Sequence, residues 1–171
     1  MKPYEGITIV ELSTMITASL ASMMLAEQGA RVIKVEPIGE GDPLRTSGTS
    51  KGGMAALFAS CNRGKESIRV DLRSKSGQEL LREISMKVDV LIHNFRPGVM
   101  DKHGLGSDHL RGSNSRLIYT AISGFGTNGP LKAAPAYDPV IQAYSGMTAA
   151  QDASSPAFIK NLMCDKLTAY T

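Results

Sequence analysis

Ile7-Thr8-Ile9-Val10-Glu11-Leu12, the segment Thr17 to Gln28, and Arg31-Val32-Ile33-Lys34-Val35-Glu36 decide the fold. The outer two runs are rich in β-branched residues, and the segment between them is apolar and of helix length. Gly29 stands where a helix ends in a left-handed residue. Strand, crossover helix and strand within about thirty residues predict a parallel pair. Working outward, Ser67 to Leu72 reads as a strand, Gly77 to Lys87 as a helix, Val88 to His93 as a strand with a Val-Leu-Ile centre, and Arg116 to Ser123 as another strand. This repetition predicts an α/β fold with a largely parallel sheet flanked by helices.

The chain has 171 residues, of which 42% are hydrophobic and 20% charged, a composition that excludes long disorder, collagen and a disulfide framework. Its length suits one domain or a piece of a larger one. The longest uncharged run, Leu12 to Ala26, is fifteen residues broken by five Ser or Thr. That falls short of the roughly 20 residues needed to span a bilayer, so no membrane partner is expected. Glu5 and Glu11 interrupt the apolar stretch that a signal peptide needs, which points to the cytoplasm. Cys61 and Cys164 lie far apart without a CxxC pair or metal-ligand companions; they read as buried free thiols, and no metal is expected. A net charge of +3 and few aromatic residues give no footprint for nucleic acid, so any bound anion is a small one.

Three loops fall where ligands bind in such folds, at the carboxyl ends of strands. Pro37 to Gly53 is long and rich in Gly, Pro, Ser and Thr; Asn94 to Gly98 follows a strand; Gly124 to Pro139 holds three Gly and three Pro. The last contains Gly124-Phe-Gly126-Thr-Asn-Gly129, which matches a dinucleotide fingerprint, but Pro130 follows at once and no apolar helical period begins. A pyrophosphate there would lack a helix N-terminus, so the segment reads as a glycine loop instead. Glu36 resembles a ribose-binding acid only by its place at the end of the second strand.

Basic residues gather near the strand ends: Arg45, Lys51, Arg63, Lys65, Arg96 and Lys102. Such a set reads either as a solvated face or as a grip on a phosphate-bearing ligand, since charge-assisted bonds to phosphate are strong. Asn94-Phe95-Arg96-Pro97-Gly98 puts an amide, an aromatic face and a guanidinium beside a turn, a set able to hold an anionic, partly aromatic ligand. Asp165 opens a last helix that runs to Thr171 without a stop signal, so the chain reads as cut inside a helix. From chemistry alone Asp165 is either a helix N-cap or a nucleophilic carboxylate desolvated by apolar neighbours. His93, His103 and His109 lack metal spacing and read as surface or supporting residues.

The order of these motifs resembles the class III CoA-transferase, or CaiB/BaiF, family. The matching pieces include Gly6 to Ser13, Leu25 to Pro37, Gly41-Asp42-Pro43, Asn62 to Ser67, Val70-Asp71-Leu72, Asn94 to Val99, Leu117 to Gly126, Tyr137-Asp138 and Gln142 to Gly146. The resemblance implies a Rossmann-like large domain, of which residues 1–171 would be the N-terminal part, within an interlocked homodimer. It implies an acyl-CoA:carboxylate CoA-transferase, with Asp165 as the nucleophile that passes through an aspartyl-CoA thioester. Coenzyme A or acyl-CoA and a carboxylic acid are then the substrates, with no tightly bound cofactor.

By the same resemblance, CoA contacts fall on Ile16 and Thr17, on Arg69, Val70, Asp71 and Leu72, on Asn94, Phe95 and Arg96, on Lys102, and on Ala136 and Tyr137. Thr17-Ala18-Ser19 replaces the family's usual Ala-Gly-Pro, Pro37 replaces a basic residue of some members, and Lys102 stands where Arg is frequent. The alternative within the family is an acyl-CoA racemase or epimerase, whose histidine would fall at Tyr137. A non-catalytic CoA- or nucleotide-binding fragment is the alternative from another class.

Overall fold

Alternation along the first strand sets the architecture, because Ile9 and Glu11 face one side of the sheet and Val10 and Leu12 the other, and all four are buried. The computed structural model describes residues 1–152 and 154–171. In chain order the elements are β1 (Thr8–Leu12), α1 (Thr17–Glu27), β2 (Arg31–Glu36), a 3₁₀ turn (Pro43–Arg45), β3 (Ser50–Lys51), β4 (Met54–Ala55), α2 (Ala56–Asn62) and β5 (Glu66–Arg69). They continue as α3 (Lys75–Ser85), β6 (Val90–His93), α4 (Val99–Lys102), α5 (Ser107–Ser113), β7 (Ile118–Ala121), α6 (Asp138–Tyr144), α7 (Met147–Gln151) and α8 (Met163–Tyr170). Five strands form one sheet in the order β5-β2-β1-β6-β7. Every pairing in that sheet is parallel, while β3 and β4 form a separate antiparallel hairpin.

The predicted α/β class and the first βαβ unit are observed, with β2 on the expected residues. On one face Val10, Leu12, Val35, Val70 and Leu91 pack with Leu81 of α3, Met100 of α4 and Leu110 of α5. On the other, Ile9, Val32 and Ile92 pack with Ala18, Ala21 and Leu25 of α1. Small residues on α1, with Ala18, Ser19 and Ser22 buried, bring that helix close to the sheet. The helix carries no polar outer face because α2 and α8 pack against it as well.

The expected strand Ser67 to Leu72 runs from Glu66 to Arg69 instead; the Val70 amide still donates to Glu36 O at 3.0 Å, and Val70, Asp71 and Leu72 line a cavity beyond the strand end. The helix expected from Gly77 begins at Lys75, since Ser74 occupies its N-cap and accepts a hydrogen bond from the Gly77 amide at 3.0 Å. Gly77 is required there, as a Cβ would strike the carbonyl oxygen of Asp71. The long loop from Pro37 contains the 3₁₀ turn and the first strand of the hairpin. The last helix starts at Met163, so Asp165 is its third residue rather than its N-cap.

Candidate active site

The sheet order makes β1 the centre from which the chain winds outward to β2 and β5 on one side and to β6 and β7 on the other. Such a reversal opens a crevice beyond the carboxyl ends of the two strands that flank it, here β1 and β6. Across it, Asn94 ties the two loops together: its side-chain amide donates to Thr14 O at 2.7 Å and its Oδ1 accepts from the Thr14 amide at 3.2 Å. The next residue, Met15, has φ 66°, while Asp42 Oδ1 accepts its amide at 3.1 Å. Asn94 and Asp42 thus hold an exposed, non-glycine residue in the left-handed region at the mouth of the crevice. Met15→Gly is expected to keep or raise stability by up to about 1 kcal/mol, and Met15→Val to lower it by about as much, in thermal melts of the two variants.

A cavity of about 380 Å³ opens at the same end of the sheet. Ser13 and Thr14 line it from the β1 loop, Glu36, Pro37 and Ile38 from the β2 loop, Val70 to Arg73 from the end of β5, and Phe95, Val99 and His103 from beyond β6. It therefore brings together Val70, Asp71, Leu72 and Phe95 of the residues singled out from sequence. Arg69 points elsewhere, with Nη1 donating to Gly39 O at 2.6 Å. Arg73 Nε pairs with Asp71 at 3.0 Å, which holds the Asp71 carboxyl below its ordinary value through that hydrogen bond.

His93 is buried, which excludes the surface alternative and leaves the supporting one, and it stacks against Phe95 at 6.1 Å between ring centroids. Burial lowers its pKa to about 4 against the opposing charge of Asp101, so the ring is neutral at physiological pH. Its Nδ1 accepts the Phe95 amide at 3.2 Å, which leaves the proton on Nε2 and fixes the backbone beneath the cavity's aromatic wall.

Three of the basic residues expected near a phosphate are already paired with groups of the protein itself, Lys65 buried, Arg45 partly buried and Arg63 at the surface. Arg45 makes a bidentate pair with Glu36 at 2.7 and 2.6 Å and lies 4.1 Å over the Phe58 ring. Arg63 pairs with Glu27 at 2.6 Å. Lys65 is buried and donates to Glu11 Oε2, Ser19 O and Asn62 Oδ1 at 2.7, 2.7 and 2.9 Å. Glu36 is correspondingly no ribose acid: Arg45, Ser67 and the Asp42 amide occupy it, and these bonds overcome the opposing effect of burial to hold its carboxyl at about 2. Among the described residues, Lys51, Arg96 and Lys102 make no ion pair.

Beneath the β1 loop lies a cluster that sequence reading missed. Lys34 Nζ reaches Glu11 Oε1 at 2.7 Å, Ser19 Oγ at 2.9 Å and Asp42 Oδ2 at 3.0 Å. The Asp42 contact is an ion pair without a directional hydrogen bond, whereas Asp42 Oδ1 accepts from the Met15 and Leu44 amides. Burial alone would raise the Glu11 carboxyl, but Lys65 and Lys34 more than reverse this and hold it at about 2. Lys65 shares its one carboxylate with a like charge, so burial wins there and lowers its ammonium to about 8. The available signal was a charged residue in the interior of each of two β-rich strands, Glu11 and Lys34; parallel register then sets them opposite each other.

Asp165 is half-buried in the first turn of α8, which packs on α1 and α6. Its amide donates to Asp138 Oδ2 at 2.9 Å, and burial, followed by the charge of Asp138, raises its carboxyl above the ordinary value. Leu162, at the N-cap of α8, packs against the cluster of Ile16, Leu44 and Phe58. The N-terminus of α8 thus meets the far end of the β1 loop. Ile16 is a buried member of that cluster, and Thr17 is the first residue of α1. Tyr137 is exposed at the N-cap of α6, and Ala136 packs so tightly on Gly124 that a Cβ on the glycine would overlap it. Among the described residues, no hydrogen bond joins Asp165 to Asn94 or Tyr137.

Sheet order and crevice define a doubly wound α/β domain of the switch-point type. The chain belongs to CoA-transferase family III, whose family model matches residues 4–171. It is 43% identical over 145 residues to the acetyl-CoA:oxalate CoA-transferase of Acetobacter aceti, covering 85% of this chain and 37% of that one. To the succinyl-CoA:glutarate CoA-transferase of Homo sapiens it is 36% identical over 148 residues, covering 86% and 34%. A CaiB/BaiF family protein from Brucella suis superposes with a TM-score of 0.88 at 38% identity, covering 96% of this chain and 45% of that one. Rv3272 from M. tuberculosis gives 0.91 at 34% identity, covering 99% and 47%. The chain spans between a third and a half of the length of these relatives.

Proposed function

We propose that the protein carrying this chain is an acyl-CoA:carboxylate CoA-transferase with Asp165 as nucleophile. Membership of CoA-transferase family III over almost the whole chain carries the reading. The Asp165 carboxylate attacks the thioester carbonyl of an acyl-CoA, expelling CoA thiolate and forming a mixed anhydride. The thiolate returns to the aspartyl carbonyl, releasing the first carboxylate and leaving an aspartyl-CoA thioester. An acceptor carboxylate then attacks that thioester, and the thiolate closes the cycle on the new acyl group. Desolvation supports the assignment, since a half-buried carboxylate with a raised pKa is the more basic nucleophile.

Coenzyme A enters as substrate, with its nucleotide end in the cavity beside Phe95 and Arg73, and Arg96 and Lys102 supplying positive charge nearby. No resident cofactor takes part. The enzyme acts as an interlocked homodimer in the cytoplasm, a compartment that suits the free thiols of Cys61 and Cys164; among the described residues, no helix is long and apolar enough to cross a membrane. Tyr137, where a racemase would need a histidine, favours transfer over epimerisation.

The test is mass spectrometry of the whole protein incubated with an acyl-CoA. A CoA adduct on the peptide that contains Asp165, discharged by added carboxylate, is expected; turnover without such an adduct overturns the assignment. Calorimetric titration with CoA should also show affinity falling several-fold between low and moderate salt. Binding indifferent to salt would remove the basic residues from the nucleotide grip.

A further inference from the structure

The buried polar groups of α6 have no part in the reaction as proposed, yet they converge on the start of α8. Asp138 and Gln142 are 4% and 1% exposed. Asp138 Oδ1 accepts from Gln142 Nε2, and its Oδ2 accepts the Asp165 amide at 2.9 Å. Gln142 in turn reaches the segment before α8: its Oε1 accepts the Ile159 amide at 2.9 Å, and its Nε2 lies 3.4 and 3.3 Å from the carbonyls of Ile159 and Asn161. The N-cap of α8, Leu162, has no side chain able to satisfy the helix amides. A carboxylate from another helix does so at Asp165.

We infer that Asp138 and Gln142 are a positioning pair, which fixes the backbone of Asp165 and places a second negative charge beside its carboxylate during CoA transfer. The inference rests on Asp165 being the nucleophile. The Asp138 carboxylate is committed to two donors, so it is held as an acceptor and is not free to replace Asp165 in the chemistry. The charge beside Asp165 opposes ionisation of the nucleophile and so adds to its basicity. The other charged or titratable groups on the packed elements are Tyr144 on α6, Glu27 on α1, Lys160 on the segment before α8, which lines a pocket with Asp138 and Gln142, and Cys164, Lys166 and Tyr170 on α8. Glu27 is tied to Arg63 and Lys166 to Asn161, while the buried Cys164 thiol is raised by burial, then by Asp138 and Asp165.

Asp138→Asn tests the pair in the whole protein, because an amide offers only one acceptor oxygen and must face a donor with its own NH₂. The expected result is kcat lower by about 10- to 100-fold, from misplacement of the nucleophile, with KM for acyl-CoA nearly unchanged. The acid limb of the pH profile of kcat should move to lower pH, since Asp165 loses the neighbouring charge. Adding Gln142→Glu restores a carboxylate at position 142 that accepts from the new amide and from Ile159, and should return much of kcat and move the acid limb back. Wild-type kcat in Asp138→Asn, or a fall in kcat with the acid limb unmoved and no rescue, overturns the inference. If Asp138→Asn fails to fold, the double variant carries the same comparison against wild type. Failure of the underlying reading has a different signature, in which Asp165→Ala retains CoA transfer whatever stands at position 138.

Discussion

Asp165→Ala in the whole protein lowers kcat for CoA transfer by at least about 1000-fold while CoA affinity stays within about tenfold. Nearby carboxylates cannot take over the attack, since Asp138 is committed to Gln142 and to the amide of residue 165, an amide the alanine variant keeps. Binding survives because the cavity that would hold the nucleotide lies at the carboxyl ends of β1, β2, β5 and β6 and is lined by no residue of α8. Stability should hold or rise slightly. The folded protein raises the Asp165 carboxyl, by burial first and by Asp138 second, so the ionised form is disfavoured by folding and its removal near neutral pH relieves a cost. Kinetics with an acyl-CoA and a carboxylate, CoA titration and a thermal melt on one preparation check all three parts. Activity, binding and melting temperature lost together would show that Asp165 is structural.

How far sequence alone reaches differs between the scaffold and the site. Arg31–Glu36 is found as a strand where its β-branched alternation put it, and the unit from β1 to β2 follows because helix and strand periods are strong over such lengths. Helices α2, α4, α5, α6 and α7 span seven, four, seven, seven and five residues, too short for a period to show, and none was legible. Asp165 was singled out only through the order of motifs, and its role as nucleophile is a proposal. The partners that hold it were not recognisable, because Asp138 lies 27 positions upstream and only tertiary packing joins them. Arg45, Arg63 and Lys65 show the opposite error: their clustering in sequence marks ion pairs within the chain, with Lys65 buried and Arg63 on the solvated surface, rather than a phosphate grip.

Glu11→Gln is expected to cost about 3–5 kcal/mol, because it strips the shared counterion from two buried ammonium groups. Lys34 would retain Asp42 at 3.0 Å, but Lys65 would keep only the neutral acceptors Ser19 O and Asn62 Oδ1. Against a typical total of about 5–15 kcal/mol, that loss shows as a marked fall in the urea midpoint. Adding Lys65→Met removes the stranded charge and should recover part of it, so the double variant is more stable than the two single losses sum to. Acid titration gives an independent check on wild type. Glu11 is held at about 2 in the fold against an ordinary 4.5, so its contribution is complete above about pH 4.5 and is lost as the pH falls through about 2. The same cluster carries the loop at the crevice, since Lys34 also bonds Ser13 O and pairs with Asp42, which holds the Met15 amide. Glu11→Gln should therefore weaken CoA binding even below the onset of unfolding; unchanged stability and unchanged CoA affinity would show that the cluster neither supports the fold nor sets the loop.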